Sequence, residues 1–183
     1  MLTILWSILH CSSYRIQHQR IEPTRNLLAN RPRPRLFNVD DYGAVANGAD
    51  DSKAFMEAWR NACSSSKGAE FVVPKNKVYH LKPILFSGPC NPNLKVKIYG
   101  TIKASSHKSD YDEDRRHWIV FEDLEDLTVE GGGTINGNGR IWWIKSCKVD
   151  ETQPCIGAPT GFKSTLFLET LVMKIDNDGN EMK

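Results

Sequence analysis

The chain has 183 residues, 40% hydrophobic and 25% charged, with a formal net charge of +2. That is ordinary for a soluble globular protein and enough chain to bury one good core. No run reaches the ~18 apolar residues of a membrane span, and no C-x-x-C pair points to a zinc or thioredoxin-like site.

The chain opens Met1-Leu-Thr-Ile-Leu-Trp-Ser-Ile-Leu-His-Cys-Ser-Ser13. Residues 1–13 read as a secretory signal peptide, because a short apolar run ends in small residues. No basic residue precedes the run, so a frayed apolar N-terminus or a misassigned start is the competing reading. Secretion to the cell exterior is the expectation. The cysteines are Cys11, Cys63, Cys90, Cys147 and Cys155. Removal of Cys11 by processing leaves an even set, which in a secreted chain suggests two disulfides.

Residues 14–36 are polar and basic, with Pro23, Pro32 and Pro34. The stretch Arg31-Pro-Arg-Pro-Arg35 cannot be helical, because each proline removes a donor and restricts the residue before it. It reads as an extended linker, in preference to an electrostatic site for an acidic polysaccharide or nucleic acid.

The folded part begins near Phe37. Ala54, Phe55, Ala58, Trp59 and Ala62 recur at spacings of three and four, which predicts an amphipathic helix between Asp51 and Ser66. Asp50 or Asp51 can cap its start and Gly68 can end it. Asp40, Asp41, Asp50 and Asp51 invite a catalytic reading. Caps and turn formers around Gly43 and Gly48 explain them better.

Beyond the helix the period changes. Short β-rich runs cover 70–73, 77–81, 94–98, 101–104, 118–121, 127–129 and 134–135, separated by Gly, Pro, Asn and Asp. No long helix intervenes, so a doubly wound fold is excluded. Comparable pieces recur every 20 to 30 residues or so, as in solenoids that stack strand on strand. Periodicity alone leaves a β-sandwich open.

Three stretches carry a resemblance. One is Phe37-Asn-Val-Asp-Asp-Tyr-Gly-Ala44 with Asn47-Gly-Ala-Asp-Asp-Ser-Lys-Ala-Phe55 and Ala58-Trp59. Another is Val73-Pro74, Tyr79 and Phe86-Ser-Gly-Pro-Cys90. The third is Val129-Glu-Gly-Gly-Gly-Thr-Ile-Asn-Gly-Asn-Gly139, then Trp142-Trp143 and Pro154-Cys155. In this order they resemble the N-terminal part of plant polygalacturonases, pectin-hydrolysing glycosidases, over residues 37–160. The resemblance implies an all-β fold, a right-handed parallel β-helix with a short capping α-helix that includes Asp51 at its start. It also implies that residues 161–183 are a divergent tail.

Within that resemblance, Gly131, Gly132, Gly133, Gly137 and Gly139 are expected to take positive φ between strands. Asn136 and Asn138 suit the same corners, and asparagines can stack between coils. Trp142 and Trp143 are expected to pack as core or cap, in preference to stacking on sugar rings. The resemblance pairs Cys63 with Cys90, and Cys147 with Cys155 would close a small loop.

Inverting glycosidases need two carboxyl groups ~6.5–9.5 Å apart. In the polygalacturonases these come from an Asn-Thr-Asp segment and an Asp-Asp pair, followed by Gly-His-Gly and Arg-x-Lys segments. None of these segments is found here. His10, His18, His80, His107 and His117 offer no substitute. Asp110, Asp112, Glu113 and Asp114 with Arg115 and Arg116 read as a loop between coils. The run Asp176-Asn-Asp-Gly179 reads as a solvated tail, not a calcium loop.

The resemblance therefore implies a polygalacturonase-like chain truncated before its catalytic residues and inactive, with no catalytic, metal-binding or cofactor residues. Pectin or polygalacturonate is the implied partner in the cell wall, with no nucleic acid and no membrane. A marginal monomer prone to aggregation is expected, because few coils are stacked. The alternative is a noncatalytic pectin-binding or interaction module, using Arg31, Arg33, Arg35 and the tryptophans. A rhamnogalacturonan hydrolase fits the paired tryptophans and cysteine spacing less well.

Overall fold

The structure, a computed structural model, describes residues 33–164 apart from 126, 145 and 156, with the backbone alone for 160–164. The expected signal peptide, Cys11, nearly all of the basic stretch and the tail beyond Ser164 lie outside the described residues.

Ten strands are described: β1 Arg35–Asn38, β2 Ala69–Val73, β3 Val78–Leu81, β4 Ile84–Ser87, β5 Leu94–Ile98, β6 Thr101–Ala104, β7 His117–Glu122, β8 Thr128–Glu130, β9 Thr134–Asn136 and β10 Thr160–Ser164. Two α-helices accompany them, α1 Ser52–Cys63 and α2 Arg140–Ile144, with short 3-10 turns at Val39–Tyr42 and Lys108–Tyr111. The strands form three sheets, ordered β1-β2-β5-β8, β3-β6-β9 and β10-β7-β4. Every strand pairing is parallel. The chain visits the three sheets in rotation and returns to the first, so each circuit is one coil of a parallel β-helix. This closes the question that periodicity left open, since a β-sandwich is built from antiparallel sheets.

The core is built from rows of apolar residues that repeat at the same station of successive coils. Phe37, Phe71, Val96 and Val129 stand in register in the first sheet. Tyr79, Ile102 and Ile135 do so in the second, and Phe86 and Phe121 in the third. Apart from the partly buried Ile135, all of these are buried. Fully burying each large side chain contributes about 1.5–3 kcal/mol. A slip of one residue would turn a whole row outward, so the rows also fix the register.

The outer face of the first sheet carries charge. Lys97 Nζ lies 2.9 Å from Glu70 Oε1 and 3.5 Å from Glu130 Oε1, bridging three successive coils. The hydrogen bond to Glu70 holds the Lys97 ammonium above its ordinary value.

Helix α1 lies over the N-terminal end of the core, and the five residues at helical spacing are its buried face. Phe55 meets Phe71 and Tyr79 edge-on, at 5.9 and 5.4 Å between ring centroids. Trp59 packs on Phe86 and Phe121 at 4.9 and 5.6 Å, and its Nε1 donates to Ser87 O at 3.0 Å. The helix thus ties the first sheet to the third.

Asp51 stands at the N-cap but its side chain makes no capping bond. Its Oδ1 accepts from Val45 N at 2.8 Å and Ala46 N at 3.3 Å, and its Oδ2 accepts from His80 N at 3.3 Å. Asp50 takes the capping role instead, with Oδ1 accepting from Ser52 N at 3.0 Å. The buried carboxylate is drawn away from the helix by the loop amides that fold over it.

The glycine run also departs from expectation. Only Gly131 of it takes positive φ, at 133°, and a Cβ there would meet Ile98 O at 2.0 Å. Gly132, Gly133, Gly137 and Gly139 are not at positive φ. Gly133 is needed for close approach, since a Cβ would lie 2.2 Å from Gly100 O, while nothing lies within 4 Å of one on Gly132. Asn138, at φ 48°, takes the left-handed position instead.

Candidate functional site

The connections between sheets differ greatly in length. Turns from the first sheet to the second are short in every coil, at residues 74–77, 99–100 and 131–133. From the second sheet to the third they grow: residues 82–83, then 105–116, then 137–159. Successive insertions therefore rise from the same corner, beside one edge of the third sheet. Insertions gathered on one side of a solenoid are where its binding surface is commonly built.

The two long connections pack against each other. The Tyr111 ring meets Trp142 edge-on at 5.4 Å between centroids. Lys108 Nζ lies 4.9 Å from the centre of the Trp142 ring, a cation–π contact. Tyr111 donates its hydroxyl to Ser105 O at 3.1 Å, and burial pushes its pKa up to about 12. Asn138 Nδ2 donates to Ala104 O at 3.1 Å, joining the two coils below the insertions.

Neighbouring residues on a helix point in different directions, and α2 separates the paired tryptophans accordingly. Trp142 is buried, whereas Trp143 is 56% exposed, so of the pair expected to pack as core or cap only Trp142 is part of the core. Ile144 and Val149 are also exposed. The insertion is braced below by hydrogen bonds of Trp142 N and Trp143 N to Gly139 O, at 3.0 and 3.1 Å. A disulfide joins Cys147 to Cys155, with Cα atoms 5.0 Å apart.

A second disulfide joins Cys63 at the end of α1 to Cys90 after β4, with Cα atoms 4.5 Å apart. Asn136 stands in register with Lys103, which stands in register with His80, so no asparagine ladder forms between coils. Asn136 Oδ1 instead accepts from Asn138 N at 2.8 Å and shapes the turn leading to α2.

The carboxylates of this corner hold the loops together. Asp110 accepts from Ser105 Oγ at 2.5 Å and pairs with Lys82 Nζ at 3.2 Å. The Ser105 hydroxyl, with help from Lys82, holds the Asp110 carboxyl below its usual range. Asp114 faces His117 Nδ1 at 2.7 Å, and that contact together with the Arg116 amide lowers its pKa. Asp112 pairs with Arg115 at 2.6 Å. On the N-terminal side, Asp40 pairs with Lys77 and accepts from Tyr79 Oη, both at 2.8 Å. Among the described residues no group of three or more His, Cys, Asp or Glu is arranged to hold a metal ion. None of the described helices is long and apolar enough to cross a membrane.

Parallel coils, an N-terminal helical cap and insertions at one corner restrict the family sharply. Residues 63–176 match Glycosyl hydrolases family 28. The chain belongs to that family. Its family 28 match continues through β10 and past Thr160, into the stretch expected to be a divergent tail. The chain is 54% identical over 169 residues to "Polygalacturonase QRT2" of Arabidopsis thaliana, covering 88% of this chain and 38% of that protein. It is 56% identical over 125 residues to "Polygalacturonase" of Persea americana, covering 68% and 27%. It is 53% identical over 144 residues to "Polygalacturonase-2" of Solanum lycopersicum, covering 78% and 31%. The chain thus spans 27–38% of the length of these family 28 relatives.

Lys108 and Tyr111 were not singled out in the sequence. They lie some thirty residues before Trp142, and only the coil geometry brings the two insertions together. Trp142 and Trp143 were legible as a pair, but their opposite environments depend on the phase of a helix too short to show a period.

Proposed function

We propose that these residues form the cap and first coils of an extracellular, pectin-hydrolysing polygalacturonase-type β-helix and carry no hydrolytic pair themselves. The single observation behind this is the state of the carboxylates. Hydrolysis with inversion needs two carboxyl groups facing each other across a gap that admits a sugar and a water. Here Asp40, Asp50, Asp51, Asp110, Asp112 and Asp114 are each bonded to structural amides, hydroxyls or cations, and Asp41 and Glu113 stand exposed on the surface. The names of the relatives support the substrate class, a galacturonate polymer of the plant cell wall.

A graft tests the reading. Residues 33–164 replace the matching segment of the Solanum lycopersicum relative, and release of reducing ends from polygalacturonate is measured. The expected result is activity close to that of the unmodified relative. An inactive graft that is folded and monodisperse would count against the proposal.

A further inference from the structure

We propose that Trp143 is a stacking platform for a galacturonate chain, flanked by cations that meet its carboxylates. The inference rests on the pectin reading above and deepens it by placing a contact in this chain.

Four observations carry it. Trp143 presents its ring to solvent, 56% exposed, while its neighbour Trp142 is buried beneath. Tryptophan is enriched where a surface meets a partner, because its ring is apolar and its N–H polar. The backbone that carries the ring is braced by the Gly139 carbonyl, the Cys147–Cys155 bridge and the Tyr111–Trp142 contact. The indole has only two side-chain torsions to restrict when a sugar ring covers it.

The surroundings select an anionic sugar. Arg140 precedes Trp143 by three positions on α2, so the two side chains are neighbours on the helix surface. Arg140 is exposed and makes no ion pair among the described residues. Lys108 lies against the adjacent Trp142 ring and likewise has no carboxylate partner among them. Asp150 folds back on its own loop, accepting from Thr152 N, Thr152 Oγ1 and Gln153 Nε2 at 3.0, 2.6 and 3.2 Å, while Glu151 beside it is exposed. Arg140 and Lys108 stand beside the tryptophan pair as cations without an ion pair among the described residues. A neutral glycan would find the ring but leave the cations unmatched.

The test uses the whole 183-residue chain and deesterified polygalacturonate, with highly methyl-esterified pectin and a neutral mannan as controls. Affinity electrophoresis and calorimetry report binding. Oxidation of tryptophan by N-bromosuccinimide, read by peptide mass, reports coverage of Trp143. We expect Trp143→Ala to weaken polygalacturonate binding on the order of tenfold or more, as truncating an aromatic anchor does. Trp143→Tyr should retain most of the affinity, and Arg140→Ala should lower it and flatten its salt dependence. Polygalacturonate should protect Trp143 from oxidation. If the wild-type chain binds polygalacturonate and Trp143→Ala binds equally well, the platform is wrong while the pectin reading stands. If the wild-type chain binds none of the three polymers, the platform fails, and the graft alone decides the pectin reading. Equal binding to mannan and polygalacturonate would overturn the role of the cations.

Discussion

Asp51 and His80 hold each other twice: Asp51 N donates to His80 O at 2.9 Å, and His80 N donates to Asp51 Oδ2 at 3.3 Å. The pair ties the start of the capping helix to the first strand of the second sheet. With Val45 and Ala46 also donating to Asp51 Oδ1, one buried carboxylate organises the loop, the cap and the first coil.

Asp51→Ala should therefore cost far more than loss of a helix cap. It would leave three part-buried backbone donors without their acceptor, and a group left unsatisfied in the interior costs about 1–3 kcal/mol. A loss of roughly 3 kcal/mol in urea unfolding is expected. Asp51→Asn, which keeps one acceptor oxygen, should lose less. Equal stability of the Ala variant and the wild type would show that the loop finds other acceptors.

The glycine run offers a paired comparison within three residues. Gly131→Ala should destabilise severely, because its Cβ would fall 2.0 Å from Ile98 O at a φ of 133°. Backbone stands on both sides of that contact and has nowhere to go. Gly132→Ala meets nothing within 4 Å and should be near neutral. Thermal melts of the two variants separate the cases, and similar melting points would contradict the register of the third coil.

Removing the disulfides should cost unequal amounts. Cys63 and Cys90 are 27 residues apart in sequence, Cys147 and Cys155 only 8. The chain-entropy relation gives about 3.5 kcal/mol for the longer loop and about 2.5 kcal/mol for the shorter. Peptide mapping without reduction checks the pairing, and urea titration of the paired Cys→Ser variants checks the order. Free thiols on all four cysteines of the purified protein would refute both bridges.

Acid should loosen the corner built on Asp110. Its pKa is lowered in the folded protein by the Ser105 hydroxyl and by Lys82. A depressed carboxyl stabilises fully above its unfolded value of about 3.9 and loses that contribution as the pH falls through the lower folded value. Wild-type stability should thus decline below about pH 4. Asp110→Asn should be less stable at neutral pH and show a shallower decline in acid. An identical acid profile in the variant would remove Asp110 from the account.

Much of this architecture was legible in the sequence because it is periodic. The α1 face at Ala54, Phe55, Ala58, Trp59 and Ala62 is the buried face of the structure, and the strands at 94–98 and 101–104 lie where their β-rich runs do. What stayed hidden was short or interrupted. The strand Ile84–Ser87 alternates over only four residues between Pro83 and Gly88-Pro89, so it is absent from the β-rich runs read along the sequence. β1 takes in Arg35 and Leu36, whose pairing with Ala69 and Glu70 owes nothing to hydrophobic pattern. At the candidate site the tryptophan pair was visible, but the outward turn of Trp143 and the approach of Lys108 are long-range facts. A linear sequence does not show which insertions share a corner.

This chain builds the start of a family 28 β-helix, and we propose that it does not hydrolyse pectin itself. The most direct test is a reducing-end assay on deesterified polygalacturonate with the purified 183-residue chain. No release of sugar ends above a heat-denatured control is expected, even on prolonged incubation. Sustained release proportional to protein concentration would contradict it.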